Sequence, residues 1–334
     1  MEILSSNNYV STENMQHNFA GIKDAISLPS SGTAVEFQVG DILISNIRPY
    51  LKKIWLSDRN GGCSTDVLAL RTKNEKVDSS FLYCCLANDD FVSYVMSGAK
   101  GVKMPRGDKQ HILSYNLGVP SVQEQRRIAE LVSLLEKRIS AQSKIIEEQE
   151  TLLKSLADRM FSENQYSCGL SELVDIVKGK QVNADTLSEE GDYYVMNGGV
   201  APSGYYSEYN VPAGSISISE GGNSCGYVQF NEKPFWSGGH CYSLRAKSDI
   251  VDYKYLYYFL KAKQSDVMAL RIGSGLPNIQ KKDIEKFTVS FPSMVQQLRY
   301  VKVLDAVSDQ LDAEKSILVL YHKQKEHLLS EMFI

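Results

Sequence analysis

The residues of this sequence that could do chemistry lie in loops that combine cations, amides and glycines. One follows the alternating apolar run "GDILIS" at 40–45, and another is the glycine-rich "SGAKGVKMPRGDK" at 97–109. Glycine lets backbone N–H groups approach a phosphate, Lys and Arg neutralise it, and Asn, Gln, Ser and Arg can bond base edges. We therefore predict a nucleic-acid interface formed by Asn46, Arg48, Tyr50, Lys52, Lys53, Lys100, Lys103, Arg106, Lys109, Asn223, Ser224, Arg271, Ser274, Asn278, Gln280, Lys281 and Lys282.

Motifs that would support catalysis are missing from the sequence. It contains no G-x-x-x-x-G-K-[ST], H-E-x-x-H or [ND]-P-P-Y stretch. Its six cysteines include no C-x-x-C pair, so we predict free thiols rather than a zinc site or disulfides. We expect no catalytic residue, metal or cofactor on this chain.

Composition bounds the compartment and the electrostatics. The net charge of −4 argues against a uniformly basic surface, so any nucleic-acid contact must depend on local clusters. No apolar run reaches the eighteen or so residues needed to cross a bilayer, and the first residues do not resemble a secretory signal. We expect a cytoplasmic protein of two domains with no membrane partner.

The sequence contains a long internal repeat. An offset of 174 residues relates Gly40 to Gly214, Arg71 to Arg245 and "FLYCCL" at 81 to "YLYYFL" at 255. After a slip to 172, "VPSVQEQRR" at 119–127 matches "FPSMVQQLR" at 291–299. Any single cationic cluster could be an ordinary solvated loop, but clusters at equivalent places in both copies favour two like binding sites.

Each copy begins with short predicted strands, continues with a helix capped by Asp78 or Asp252, and has a short strand before Pro120 or Pro292. A stretch of about forty residues without Pro or Gly follows in both copies, which predicts helices of about 60 Å. Their seam positions recur by threes and fours, as in a coiled coil. The predicted apolar seam comprises Val132, Leu135, Ile139, Ile146, Leu153, Leu156, Leu304, Val307, Leu311, Leu318 and Leu328.

Polar seam positions, Gln142, Gln149, Glu314 and Lys325, would weaken such a pair but fix its register. We expect the two helices to pair antiparallel under a pseudo-twofold, with the globular domains at opposite ends. A simple helical staple between two domains is the alternative.

These motifs together resemble the DNA-specificity (S) subunit of type I restriction–modification systems. The resemblance covers nearly the whole chain and is carried by "GDILISNIRPYLKKIW", "KGVKMPRGDK", "VPSVQEQRRIAELVSLLEKRI" and "GSGLPNIQKKDI". It implies an α+β fold with two tandem target-recognition domains, each β-rich with helices and each followed by a long helix. The corresponding boundaries are 1–121 and 166–293 for the domains and 122–165 and 294–334 for the spacer helices.

The resemblance also implies partners and cofactors. Such a subunit reads a bipartite sequence in double-stranded DNA and docks adenine methyltransferase (M) subunits, with a restriction (R) subunit as a further partner. S-adenosylmethionine, ATP and Mg²⁺ would then be bound by those partners. An adapter or decoy that binds methyltransferase subunits without reading DNA is the alternative function.

The two copies differ at their beginnings. The second opens with "LSELVDIVKGKQV" at 170–182 before "YYVMNGG" at 193–199, whereas only eight residues precede Tyr9 of "NYVSTEN" in the first. We therefore expect the first recognition domain to be shorter by about sixteen residues at its N-terminal side.

Overall fold

The computed structural model describes residues 4–29, 34–162, 165–273 and 275–332, with the last two of these described in backbone only. They form two compact units, Met1–Ser143 with Ser316–Ile334, and Lys144–Lys315. Each unit therefore combines one β-rich domain with a segment of each long helix.

The first unit has two small sheets, ordered β1-β5-β2 and β4-β3-β6, covered by three helices. Its elements are β1 (Tyr9–Val10), β2 (Val35–Phe37), β3 (Ile42–Ser45), a 3-10 turn (Pro49–Leu51), β4 (Ile54–Leu56), β5 (Gly61–Cys63), β6 (Val67–Leu70), α1 (Ser79–Leu86), α2 (Asp89–Ser97), α3 (Lys109–Leu113) and the start of α4 (Val122–Ser162).

Strand β3 lies at the centre of this unit and is buried along its whole length. Because successive side chains of a strand point to opposite faces, Ile42 and Ile44 join a cluster with Phe91, while Leu43 packs with Trp55. The alternating "ILIS" run thus separates two small cores, one under each face of the sheet.

The second unit has three sheets, ordered β12-β11-β14-β8, β10-β9-β13 and β15-β7. Its elements are β7 (Tyr166–Gly169), α5 (Leu170–Leu173), β8 (Val174–Lys178), a 3-10 turn (Ala184–Thr186), β9 (Tyr193–Met196), β10 (Tyr205–Tyr206), β11 (Ser215–Ser219), β12 (Val228–Asn231), β13 (Trp236–Ser237), β14 (Cys241–Ala246), α6 (Tyr253–Ala262), α7 (Gln264–Ala269), α8 (Lys281–Glu285), β15 (Thr288–Phe291) and the start of α9 (Met294–Met332).

The repeat found in the sequence is confirmed by strand order. The β4-β3-β6 sheet corresponds to β12-β11-β14 at an offset of 174 residues, with the same antiparallel pairing. Both predicted helix caps are also confirmed. Asp78 accepts hydrogen bonds from the backbone N–H groups of Ser80 and Phe81, and Asp252 accepts one from that of Tyr255.

One strand expectation holds in the second copy and is wrong in the first. Strand β15 ends at Phe291, immediately before Pro292, but residues 116–119 form no strand before Pro120. The physical reason is the partner: β15 pairs with β7, and no described strand of the first unit takes that place.

The antiparallel pairing of the long helices is visible within each unit. In the first unit Lys325 Nζ lies 2.8 Å from Glu136 Oε1, and Leu329 packs on the cluster that holds Ala129 and Val132. In the second unit Lys315 Nζ lies 2.7 Å from Glu150 Oε1. Numbers rise along α4 as they fall along α9, so the coiled coil is antiparallel.

The seam positions face inward on both helices. Val132, Leu135, Ile146, Leu304 and Leu311 are buried. The remaining predicted apolar positions are half-buried: Ile139, Leu153, Leu156, Val307, Leu318 and Leu328. No described helix is both long enough and apolar enough to cross a lipid bilayer.

Candidate nucleic-acid interface

The two cationic segments of the first unit lie side by side. The backbone N–H of Arg48 donates to Pro105 O at 2.8 Å, and that of Gly107 donates to Asn46 O at 3.0 Å. Ile47 and Arg106 form an isolated antiparallel bridge between these bonds. Segments separated by about fifty residues of sequence therefore form one surface, called here the first loop pair (46–53 and 97–109).

The second unit repeats this arrangement bond for bond. Gly222 N–H donates to Pro277 O at 3.0 Å, and Ile279 N–H donates to Glu220 O at 2.9 Å. The bridge between them joins Gly221 to Asn278. This second loop pair (220–227 and 271–283) contains Asn223, Ser224, Arg271, Gln280, Lys281 and Lys282, whereas Ser274 lies outside the described residues.

Each glycine-rich loop is closed into a small hairpin. Lys100 and Arg106 exchange two backbone hydrogen bonds of 2.9 Å, and Ile272 and Asn278 exchange bonds of 2.9 and 3.0 Å. The proline carbonyl next to each bridge is the one bound by the neighbouring segment, so the hairpin is fixed at its base. Its tip carries exposed apolar side chains that sequence analysis did not single out, namely Val102, Met104 and Leu276.

Backbone conformation at the first loop pair is strained. Arg48 and Lys52 have φ of +52° and +55°, in the left-handed region that disfavours residues with a Cβ. The equivalent positions of the second unit are Gly222 and Gly226, with φ of +79° and +88°. The fold thus requires left-handed residues at both places, and the first copy meets that requirement with two cations.

The predicted cations differ in how far they are neutralised. Some form ion pairs, namely Lys52 with Asp89 (2.6 Å), Lys100 with Asp108 (2.8 Å), Arg106 with Asp66 (2.9 Å) and Lys281 with Glu285 (3.7 Å). Within residues 4–29, 34–162, 165–273 and 275–332, no ion pair is formed by Arg48, Lys103, Lys109, Arg271 and Lys282. These five side chains are the most available to an anionic ligand.

Three predicted residues of the first loop pair are held differently. Lys53 Nζ donates to Thr12 O at 2.6 Å, and burial, with the nearby charge of Arg48, lowers the pKa of Lys53. The Tyr50 side chain is exposed. Asn46 Oδ1 is buried against Gly107 without a described hydrogen-bond partner, so its amide lies beneath the loops. Lys53 and Asn46 are therefore less available than Arg48.

A buried carboxylate underlies the second loop pair where the first has Asn46. Glu220 Oε1 accepts from Tyr242 at 3.0 Å and lies 2.7 Å from Lys178 Nζ, while His240 Nδ1 is 3.8 Å from Oε2. Burial, together with the bond to Glu220, raises the pKa of Tyr242. Sequence analysis missed this group, although the offset of 174 from Asn46 would have pointed to Glu220.

Comparison with known proteins places these two loop pairs in a family. The sequence model of the type I restriction modification DNA specificity domain matches this chain twice, over residues 7–150 and 166–320. The two matches cover most of the chain, and each contains one complete loop pair.

Individual relatives are more distant. Type I specificity subunits of Mycoplasma genitalium and Mycoplasma pneumoniae are 29% and 26% identical over 166 residues, or 49% of this chain. Those alignments cover 43% and 44% of the relatives, so the chain spans less than half the length of these curated proteins. The crystal structure of the type I restriction–modification S subunit from M. genitalium superimposes with a TM-score of 0.71. It is 19% identical, and the superposition covers 100% of this chain and 91% of that one.

Proposed function

We propose, because this chain belongs to the family of type I restriction modification DNA specificity domains, that it is the non-catalytic subunit that selects the DNA target of a type I restriction–modification complex. Each loop pair would read one half of a split sequence in double-stranded DNA. The observation that supports this most directly is the repetition of the same loop geometry in both units. A pure adapter for methyltransferase subunits would need the helices but not two cation-bearing loop pairs.

The partners follow from the surface of the long helices. The first unit exposes Leu131, Leu134, Val319 and Leu320 on the outer faces of its helix segments, and the second exposes Ile145, Leu152, Leu298 and Val303. Exposed apolar side chains on a charged helix are typical of protein contacts. We assign these faces to adenine methyltransferase subunits, with a restriction subunit as a further partner. S-adenosylmethionine, ATP and Mg²⁺ belong to those partners.

The test is co-expression with the methyltransferase encoded beside this gene, followed by sequencing of methylated adenines with and without this chain. A stable complex and a split adenine motif that disappears on deletion would support the proposal. A stable complex without any change in methylation would favour the adapter. Failure to form a complex would remove the docking role of the helices.

Replacing Arg48 by glycine is expected to separate binding from folding. The left-handed strain at Arg48 is relieved, so the free energy of unfolding should stay constant or rise by up to about 1 kcal/mol. Loss of the cation should weaken DNA binding by about tenfold, as expected for one phosphate contact. Urea denaturation and a binding titration on the duplex identified by methylation sequencing would measure the two effects.

The matched control is Arg48→Ala, which removes the same charge but keeps a Cβ at the left-handed position. It should bind DNA as weakly as Arg48→Gly and be less stable than that variant. Equal DNA affinity of wild type and both variants would exclude Arg48 from the interface.

A further inference from the structure

The outer edge of strand β6 is open in the first unit. Its residues pair with β3 on one side, and no described strand pairs with the other side. A groove of about 310 Å³ runs along this edge, between β6 and helix α3. Its walls are lined by Val67–Leu70 on the strand side and by Lys109, Ile112 and Leu113 on the helix side.

The second unit shows what fits such a groove. Strand β14, the counterpart of β6, pairs on its outer side with β8 over five residues, from Tyr242 opposite Lys178 to Ala246 opposite Val174. The preceding helical turn, α5, buries Leu170 and Leu173 in the core that also contains Ile284 of α8, the counterpart of Ile112. Residues 166–178 thus cover the sheet edge and fill the space beside α8 in the second unit.

Burial differs accordingly between the two copies. Tyr242, Ser243 and Leu244 are 3%, 7% and 3% exposed, whereas their counterparts Leu68, Ala69 and Leu70 are only half-buried. Leu113, on the groove wall, is 60% exposed. An uncovered sheet edge flanked by apolar side chains is a ready template for a further strand.

Main-chain hydrogen bonding is available along this edge. Hydrogen bonds alternate along an antiparallel strand, so every second residue of β6 directs its N–H and C=O outward. In the second unit Cys241 O faces this way and accepts from Gly179 N–H at 2.9 Å. Its counterpart is Val67, so Ala69, two residues further on, also directs its backbone groups into the groove.

We propose that this groove binds a strand–turn–strand segment with the chemistry of residues 166–178, presented by another polypeptide. The segment would add an edge strand to β6 and place two apolar side chains of a helical turn beside Ile112 and Leu113. Main-chain bonds would supply affinity, and alternate apolar residues, as Val174 and Ile176 do in β8, would supply specificity. The surface is distinct from the loop pairs and from the outer faces of the long helices.

The probe is a fluorescein-labelled peptide of residues 166–180 with Cys168 replaced by Ser, titrated against the full chain. We expect saturable binding, together with slower hydrogen exchange at residues 67–71. A control peptide with Leu173→Asp and Ile176→Asp should not bind. Failure of the parent peptide to bind at about 1 mM would overturn the proposal.

Two variants of the chain locate the site. Leu113→Arg introduces a charge at an exposed wall position and should weaken binding at least tenfold, whereas Leu134→Arg on the exposed face of α4 should not. Ala69→Pro removes an outward N–H, which an edge strand tolerates, and should also weaken binding. Protection of residues 241–246 instead of 67–71 would contradict the proposal. So would self-association of the chain that Leu113→Arg abolishes without any peptide binding.

Discussion

Replacing Gln297 by leucine is expected to lower the free energy of unfolding of the second unit by about 3 kcal/mol. The side chain is 0% exposed and joins three segments. Its Oε1 accepts from Asp252 N–H at 2.7 Å, and its Nε2 donates to Ile250 O at 3.1 Å and Pro292 O at 3.0 Å. Leucine has a similar volume but leaves one donor and two acceptors without their partner.

The measurement is urea denaturation combined with hydrogen exchange at β11 and β14. Gln310→Leu, the same substitution at an exposed position of the same helix, should change stability by less than about 0.5 kcal/mol. Equal stabilities of the two variants would mean that Gln297 does not hold the domain to its helix.

The first unit offers an independent repetition of this experiment. Gln125 makes the equivalent bonds, from Asp78 N–H to its Oε1 and from its Nε2 to Lys76 O and Pro120 O, each at 2.8 Å. Gln125→Leu should destabilise the first unit by a similar amount, with the exposed Gln123→Leu as its control. The buried glutamine is therefore a joint that the duplication preserved in both copies.

These glutamines mark a limit of prediction from sequence. The caps at Asp78 and Asp252, the offset of the repeat and the helix seam follow from local patterns, because each depends on residues close in sequence. A glutamine in the first turn of a helix looks solvated by the same rules. Its three partners lie up to 49 residues away and become visible only in three dimensions.

The charge of the loops shows the same division. Residue types identified both loop pairs, but not that Asp66 and Asp89 neutralise Arg106 and Lys52, since those carboxylates come from other segments. The shortened start of the first copy could be read from its alignment with the second. That this leaves a groove beside β6 depends on sheet order, which the alignment does not contain.

Neutralising the hairpin of the first loop pair is expected to abolish reading of one half-site. In the triple variant Lys103→Gln, Arg106→Gln and Lys109→Gln, three cations are removed, of which Lys103 and Lys109 form no ion pair within the described residues. Affinity for the target duplex at about 0.15 M salt should fall by about a hundredfold, and the dependence of log affinity on log salt should lose up to about 3 units of slope. Methylation of the corresponding half-site in cells should disappear with it.

The control carries the same change of net charge at exposed lysines outside the loops, Lys23→Gln, Lys73→Gln and Lys76→Gln. If the loss arose from the overall charge of the protein, both triple variants would weaken binding equally. If the chain were only an adapter, neither would alter methylation, and the slope would belong to partner subunits. A loss confined to the loop variant requires a direct contact, because a field set by net charge cannot distinguish lysines of one hairpin from those elsewhere on the same unit.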